Sequence, residues 1–243
     1  MNLYLSRLFL NPRSRQVMNE IAHPYEMHRT LMRAFPEVVD KENTEARDSL
    51  GILFRAEDGH HKTAVKVYVQ SYVKPHWSYL DELKDYLYVD MELPGHEYKD
   101  ILPAYRKIQN GQVFSFRLRA NPTKRVAKRD DPLKGKRVEL RSEEEQIDWL
   151  VRKGHGVGTH NLGGFEPFAH TVRISSVGKY TGYKSDQNRV HRTAHFAVLY
   201  DGLLRVTDKD AFLNTMIQGV GPGKAFGFGL LSIAPSQYHH RRG

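Results

Sequence analysis

The stretch Gly219-Val-Gly-Pro-Gly-Lys-Ala-Phe-Gly-Phe-Gly-Leu-Leu-Ser-Ile233 closes the predicted fold. It places five glycines within eleven residues around one lysine, and it continues as an apolar strand from 228 to 233. Glycines let a backbone approach other groups closely, and their amides can bind phosphate. A P-loop has four residues between its first glycine and Gly-Lys, and Ser or Thr follows. Here the spacing is shorter and Ala225 follows Lys224, so no nucleotide cofactor is predicted.

Upstream of this stretch, the second half of the chain predicts alternating strands and helices. Ser142 with Glu145 three residues later is a capping box that predicts a helix, and a second helix is expected to begin at Thr207. Asp201-Gly202 fits a type I′ turn and predicts a hairpin. The strands are expected at 138–140, 169–177, 195–200, 203–206 and 228–233.

The first half of the chain predicts the same plan. A helix is expected to begin near Pro24, since proline suits the first helical position, and an irregular helix covers 77–88. Strands are expected at 3–10, 50–55, 64–73 and 112–119. Strand, helix, strand, strand, helix, strand is the ferredoxin-like order, which RNA-recognition motifs share. We therefore predict an α+β fold of two tandem ferredoxin-like (RRM-like) domains, at 1–128 and 129–243.

Composition favours a polyanionic partner. The 37 Lys and Arg outnumber the 28 Asp and Glu, which gives a net charge of +9. This excess predicts nucleic acid more readily than an anionic membrane. The absence of cysteine excludes disulfides and thiolate chemistry. No apolar run approaches the roughly 18 residues of a membrane span, and the N-terminus lacks a signal peptide, so we expect a soluble intracellular protein.

Two basic segments are candidates for contact with a polyanion. Residues 117–137 hold nine basic side chains against two aspartates, and residues 178–192 hold four against one. Solvated surface charge is an equally good interpretation of the first segment.

The predicted helix after Pro24 carries the candidate acid–base residues. Tyr25 and His28 are three residues apart and therefore lie on one face, beside an apolar stripe. An imidazole and a phenol there could act on a phosphodiester without a metal ion, although a histidine in this setting is more often structural. The paired histidines at 60–61 and 239–240 lack metal-ligand spacing, so no metal site is predicted.

Four motifs of the chain resemble the CasE family of CRISPR repeat-processing endoribonucleases, which are subunits of the Cascade complex. They are Asn11-Pro12, Pro24-Tyr-Glu-Met-His-Arg-Thr-Leu31, Phe116-Arg-Leu-Arg-Ala-Asn-Pro122 with Lys124, and Gly219 to Pro235. The resemblance implies a cytoplasmic prokaryotic enzyme that needs no cofactor. It implies binding of the stem-loop of CRISPR repeat RNA and cleavage at the stem base by the 2′-hydroxyl. The products would be a 2′,3′-cyclic phosphate or 3′-phosphate and a 5′-hydroxyl.

The resemblance also assigns roles to residues. The family's catalytic histidine falls on His28 and its tyrosine on Tyr25, and Lys179 is the candidate for stabilising charge on the phosphorane. The candidate RNA-binding residues are Arg29, Arg117, Arg119, Lys124, Arg125, Lys128, Arg129, Arg173, Lys184, Arg189, Arg192, Gly221, Gly223 and Lys224.

Two alternative functions stay open on the sequence. A non-catalytic RNA-binding subunit would share the basic segments and the glycine-rich stretch. A two-histidine phosphoesterase is the less favoured alternative: His28-Arg29-Thr30 and His191-Arg192-Thr193 both fit His-x-Thr, but the first lies in a helical pattern.

Overall fold

A computed structural model describes residues 2–36, 50–57, 63–88, 90, 94–126, 135–157, 161–186 and 189–236, with only the backbone of 181–186 and 189–193. The chain divides into two units. The first comprises Met1–Lys107, Tyr180–Thr193 and Lys224–Leu230, and the second comprises Ile108–Lys179, Ala194–Gly223 and Leu231–Gly243. This division differs from the boundary expected after residue 128, since it groups residues 108–126 with the second unit.

Four antiparallel strands form the sheet of the first unit. They are β1 (Tyr4–Leu10), β2 (Leu53–Glu57), β3 (Val65–Ser71) and β4 (His96–Asp100), in the order β2-β3-β1-β4. The sequence had predicted 112–119 as the fourth strand. The actual edge strand, His-Glu-Tyr-Lys-Asp, is largely exposed and therefore lacks the apolar alternation by which strands are recognised.

The helices of the first unit are α1 (Arg15–Ala22), α2 (Pro24–Met32), a 3₁₀ helix (Trp77–Leu80) and α3 (Leu102–Tyr105). Pro24 occupies the start of α2, as predicted. The core joins the sheet to α1 and α2 through buried apolar side chains: Leu8, Leu10, Val17, Met27, Leu31, Phe54, Val67 and Val69.

The main sheet of the second unit has the order β11-β5-β10-β8, and β9 pairs with β10. A separate two-stranded ribbon is formed by β6 and β7. The strands are β5 (Val113–Ala120), β6 (Thr123–Arg125), β7 (Arg137–Glu139), β8 (Phe165–Pro167), β9 (Arg173–Asp186), β10 (Arg189–Val206) and β11 (Leu231–Pro235).

Two helices complete the second unit, α4 (Glu143–Gly154) and α5 (Lys209–Gln218). The predicted cap of α4 is confirmed, because Ser142 Oγ accepts a hydrogen bond from the Glu145 amide at 3.2 Å. For α5 the cap is Asp208 rather than Thr207. Trp149 of α4 stacks on Tyr200 of β10 with 6.1 Å between ring centroids, which anchors this helix on the sheet.

Asp201-Gly202 lies within β10, so the predicted hairpin turn was wrong. Asp201 pairs across the sheet with Arg117, and Gly202 pairs with Phe116. A Cβ at Gly202 would lie 3.1 Å from Val172 Cα and 3.2 Å from the Phe116 ring. Gly202 therefore allows close packing against a strand, whereas the sequence predicted that it would form a turn.

Both sheets have the strand order of a βαββαβ unit, with the first and third strands at the centre. The predicted α+β fold of tandem ferredoxin-like units is confirmed. In the second unit the first strand is β5, and the long β9–β10 pair extends from the strands that follow α4.

Candidate active site and nucleic-acid interface

Helix α2 brings Tyr25 and His28 together in the first unit. Their ring centroids are 6.1 Å apart, with a 41° angle between the planes. This proximity follows from their three-residue spacing on one helix. Both side chains can donate or accept a hydrogen bond, and an imidazole is the commonest acid–base group in enzymes. The arrangement can therefore serve proton transfer.

Packing fixes the imidazole of His28. The residue is only 9% exposed, and its ring stacks on Phe54 of β2 at 14° with centroids 6.1 Å apart. A side chain held between a helix and a sheet loses little further rotamer freedom when it reacts, which favours catalysis by preorganised groups.

Residues 224–230 of the glycine-rich stretch pack in the first unit beside this pair. The Phe226 ring lies 5.7 Å from the Tyr25 ring, and the Leu230 carbonyl accepts a 3.1 Å hydrogen bond from Arg55 Nη1. Gly227 has a φ of +76°, and a Cβ there would lie 3.1 Å from the Phe54 ring. The glycine thus permits the backbone to lie against the aromatic side chain that supports His28.

The earlier part of the stretch belongs to the second unit. Gly221 has a φ of +81°, and a Cβ there would lie 2.9 Å from the Trp149 ring. Gly223 also has a positive φ, of 83°. Lys224 follows in a short 3₁₀ helix and is exposed.

A buried carboxylate that the sequence did not indicate supports α2. Glu20 on α1 is 3% exposed. It accepts hydrogen bonds from Tyr86 Oη at 2.6 Å, Thr30 Oγ1 at 2.7 Å and Gln16 Nε2 at 2.9 Å. Burial and the adjacent carboxylate raise the pKa of Tyr86, so its phenol stays protonated and donates. Because Thr30 lies two residues after His28, this network holds the helix that carries the pair.

Lys179 lies in the second unit, on β9, and its partner there is Glu139. The Lys179 Nζ is 3.6 Å from Glu139 Oε2, and Arg141 Nη2 is 3.1 Å from the same oxygen. About half of the Lys179 side chain is exposed (53%), so it can also contact solvent or an anion.

Several predicted RNA-binding residues form ion pairs within their own unit. Arg29 pairs with Glu26, Arg117 with Asp201, and Lys124 with Glu145. Arg119 is only 6% exposed in the sheet, unlike the exposed Arg125 and Arg173. Lys128 and Arg129 lie outside the described residues, as do the side chains of Lys184, Arg189, Arg192 and His191.

The described parts of the chain contain no group of three or more His, Asp or Glu side chains placed to hold a metal ion. None of the helices among these residues is long and apolar enough to span a bilayer.

Comparison with known proteins identifies relatives over nearly the whole chain. The family model described as "CRISPR associated protein" matches residues 3–235. The CRISPR-associated endoribonuclease Cse3 of Thermus thermophilus is 37% identical over 235 residues, which cover 96% of this chain and all of the relative. The CRISPR system Cascade subunit CasE of Escherichia coli is 29% identical over 217 residues, which cover 87% of this chain and 92% of the relative.

A solved structure gives the same result. That of CRISPR endoribonuclease Cse3 bound to a 19 nt RNA superposes with a TM-score of 0.73 at 34% identity, over 97% of this chain and 100% of the other. Sequence and fold therefore agree over nearly the whole chain. The chain belongs to the Cse3/CasE family of CRISPR-associated endoribonucleases.

Proposed function

We propose that this chain is a metal-independent endoribonuclease that binds the stem-loop of CRISPR repeat RNA and cuts the precursor transcript at the base of the stem. The observation that carries the proposal is the Tyr25–His28 pair, held 6.1 Å apart on α2 in a chain of this family. The relatives support the substrate, since one is named an endoribonuclease and a related structure contains RNA.

The reaction is an internal transesterification. The ribose 2′-oxygen attacks the adjacent phosphorus, the bond from phosphorus to the 5′-oxygen breaks, and a 2′,3′-cyclic phosphate and a 5′-hydroxyl result. One proton leaves the 2′-hydroxyl and one reaches the 5′-oxygen. His28 exchanges a proton at one of these oxygens, and Tyr25 orients the ribose or assists the transfer. General acid–base help of this kind is worth about 10²–10⁴-fold in rate.

Basic groups stabilise the additional charge on the phosphorane and hold the RNA backbone. Lys179 is the proposed cation for the transition state. Arg125, Arg173 and Lys224 are exposed and are proposed to contact phosphates directly. Arg29, Arg117 and Lys124 are proposed to leave their carboxylate partners and bind phosphates instead. Double-stranded RNA is recognised mainly by shape and by phosphate and 2′-hydroxyl contacts, which suits such a set.

The product is proposed to be mature guide RNA for Cascade, in the cytoplasm of a prokaryotic cell. The relative named a Cascade subunit, 29% identical to this chain, supports the other subunits of that complex as partners.

Incubation of a labelled repeat hairpin with the wild-type protein and His28→Ala, in EDTA, tests the proposal. We expect cleavage by the wild type and a loss of about 10²-fold or more in the variant, with hairpin affinity nearly unchanged. Tyr25→Phe and Lys179→Ala should reduce the rate less. His76→Ala, an exposed histidine in the same unit, is the matched control. Full cleavage by His28→Ala would refute the catalytic assignment, and inhibition by EDTA would refute the metal-independent mechanism.

A further inference from the structure

A cavity of about 500 Å³ lies within the second unit. It is lined by Asn121, Thr123, Arg137, Glu139, Arg141 and His195, together with Pro222 of the glycine-rich stretch. Its volume falls within the range of about 300–1,000 Å³ that is typical of small-molecule sites.

The β6–β7 ribbon forms one wall of this cavity. Thr123 pairs directly with Glu139, and Arg125 pairs with Arg137. Alternate residues of a strand face the same side, so Arg137 and Glu139 lie on one face of the ribbon. Thr123 lies on that face too, because it is the cross-strand partner of Glu139. The ribbon therefore presents a guanidinium, a carboxylate and a hydroxyl on one face.

Asn121 and His195 form the inner part of the cavity. Asn121 Nδ2 lies 2.9 Å from His195 Nδ1. Asn121 is 5% exposed, and its Oδ1 has no hydrogen-bond partner in the described part of the chain. Burial lowers the pKa of His195, although Glu139 acts in the opposite direction. A neutral imidazole beside an amide forms an uncharged wall against which a nucleobase can pack.

The outer part of the cavity is positively charged. Glu139 is paired with both Arg141 and Lys179, at 3.1 and 3.6 Å, and Arg137 is exposed. Two cations thus flank one carboxylate and Arg137 adds a third positive charge to the lining, which favours an anion such as a phosphate at this end.

We propose that this cavity binds one unpaired nucleotide of the RNA, with its base against Asn121 and His195 and its phosphate near Arg137 and Arg141. The inference rests on the proposed function and adds a single-nucleotide subsite to it. It also connects Lys179 to RNA binding through Glu139.

A double-mutant cycle with modified RNA tests the subsite. The repeat RNA carries an abasic residue at one unpaired position at a time, and a 2′-deoxy group at the cleavage site prevents turnover. We expect one position at which base removal weakens binding to the full-length wild-type chain on the order of tenfold, as base-edge contacts do. The single variants His195→Gln and Arg137→Ala should each weaken binding of the intact RNA. For His195→Gln, removal of the base at the sensitive position should then reduce the affinity only slightly further.

Two outcomes overturn the inference. In the first, the losses of RNA affinity caused by His195→Gln and by base removal are additive at every unpaired position. In the second, Arg137→Ala binds the intact RNA with full affinity. Arg152→Ala, an exposed arginine outside this cavity, is the matched control. Cleavage of unmodified repeat RNA by the wild type is measured in parallel, so that this result can be separated from the proposed function. If the RNA is cleaved but the affinity losses are additive, only the subsite is refuted. If the RNA is not cleaved, the nuclease proposal is refuted. A 4-thiouridine at the sensitive position should crosslink to the peptides containing Asn121 or His195, and a crosslink only from paired stem positions would assign the cavity to the duplex instead.

Discussion

The two units share one strand order but differ in how they hold their polar groups. In the first, the described segment between β3 and β4 contains a 3₁₀ helix, whereas the second unit has the regular helix α5 at the equivalent place. The first unit buries Glu20 and His28 on its helices. The second carries Arg125, Arg137 and Arg173 exposed on strands.

This difference suggests a division of tasks between two copies of one topology. Acid–base groups need fixed positions, which burial supplies. Cations that meet a flexible polyanion gain from remaining in solvent, because they lose little hydration before binding. Three substitutions test this comparison, beginning with the largest expected effect.

Glu20→Ala should strongly destabilise the first unit. The substitution leaves the buried hydroxyl of Tyr86 with only the weak acceptor Met27 Sδ, and it removes three hydrogen bonds to a carboxylate. We expect a loss of about 3 kcal/mol in the free energy of unfolding, measured by urea titration. Glu26→Ala on α2 removes only an exposed pair with Arg29 and should cost less than about 1 kcal/mol. Equal losses for the two variants would contradict a supporting role for the buried network.

Ser142→Ala should destabilise the second unit moderately. It removes the side-chain acceptor for the Glu145 amide at the start of α4, and loss of an N-cap typically costs about 1 kcal/mol. Ser142→Asp, which retains an acceptor, should restore most of the stability in the same thermal or urea measurement. If the alanine and aspartate variants prove equally unstable, the cap does not determine the stability of this helix.

The smallest effect concerns the pH dependence of the second unit. Because burial lowers the pKa of His195 below its ordinary value of 6.5, the unfolded chain binds more protons than the folded chain between the two pKa values. The stabilisation is therefore complete above pH 6.5 and is lost as the pH falls through the folded pKa. Urea midpoints at pH 7.5 and 5.5 should differ less for His195→Gln than for the wild type. An identical pH dependence would exclude this contribution.

Much of the fold followed from the sequence. Pro24 and Ser142 predicted two helix starts correctly, because these signals are local and depend on a few neighbouring residues. Asp201-Gly202 misled for the same reason: the dipeptide favours a turn in isolation, but here β10 pairs with β5 on both sides of it and continues through it as a strand. Helix α1 was missed because only one of its eight residues, Val17, is a buried apolar side chain.

The candidate site was predicted less completely. Tyr25 and His28 share a helix, so their proximity could be inferred from spacing. The contributions of Glu20, Phe54 and Phe226 could not, because their contacts depend on tertiary packing between distant segments. Asn121 and His195 are likewise 74 residues apart and meet only because β5 ends beside the middle of β10.

The contribution of residues 224–230 to the first unit affects how the chain can fold during synthesis. Arg55 donates one of its hydrogen bonds to the carbonyl of Leu230, 175 residues later. Phe226 reaches Tyr25 only after nearly all of the chain has been synthesised. At about 5–20 residues per second, the site of His28 lacks one wall for about 10–40 seconds. The proposed site around His28 is thus completed late, although Tyr25 and His28 are among the first residues made.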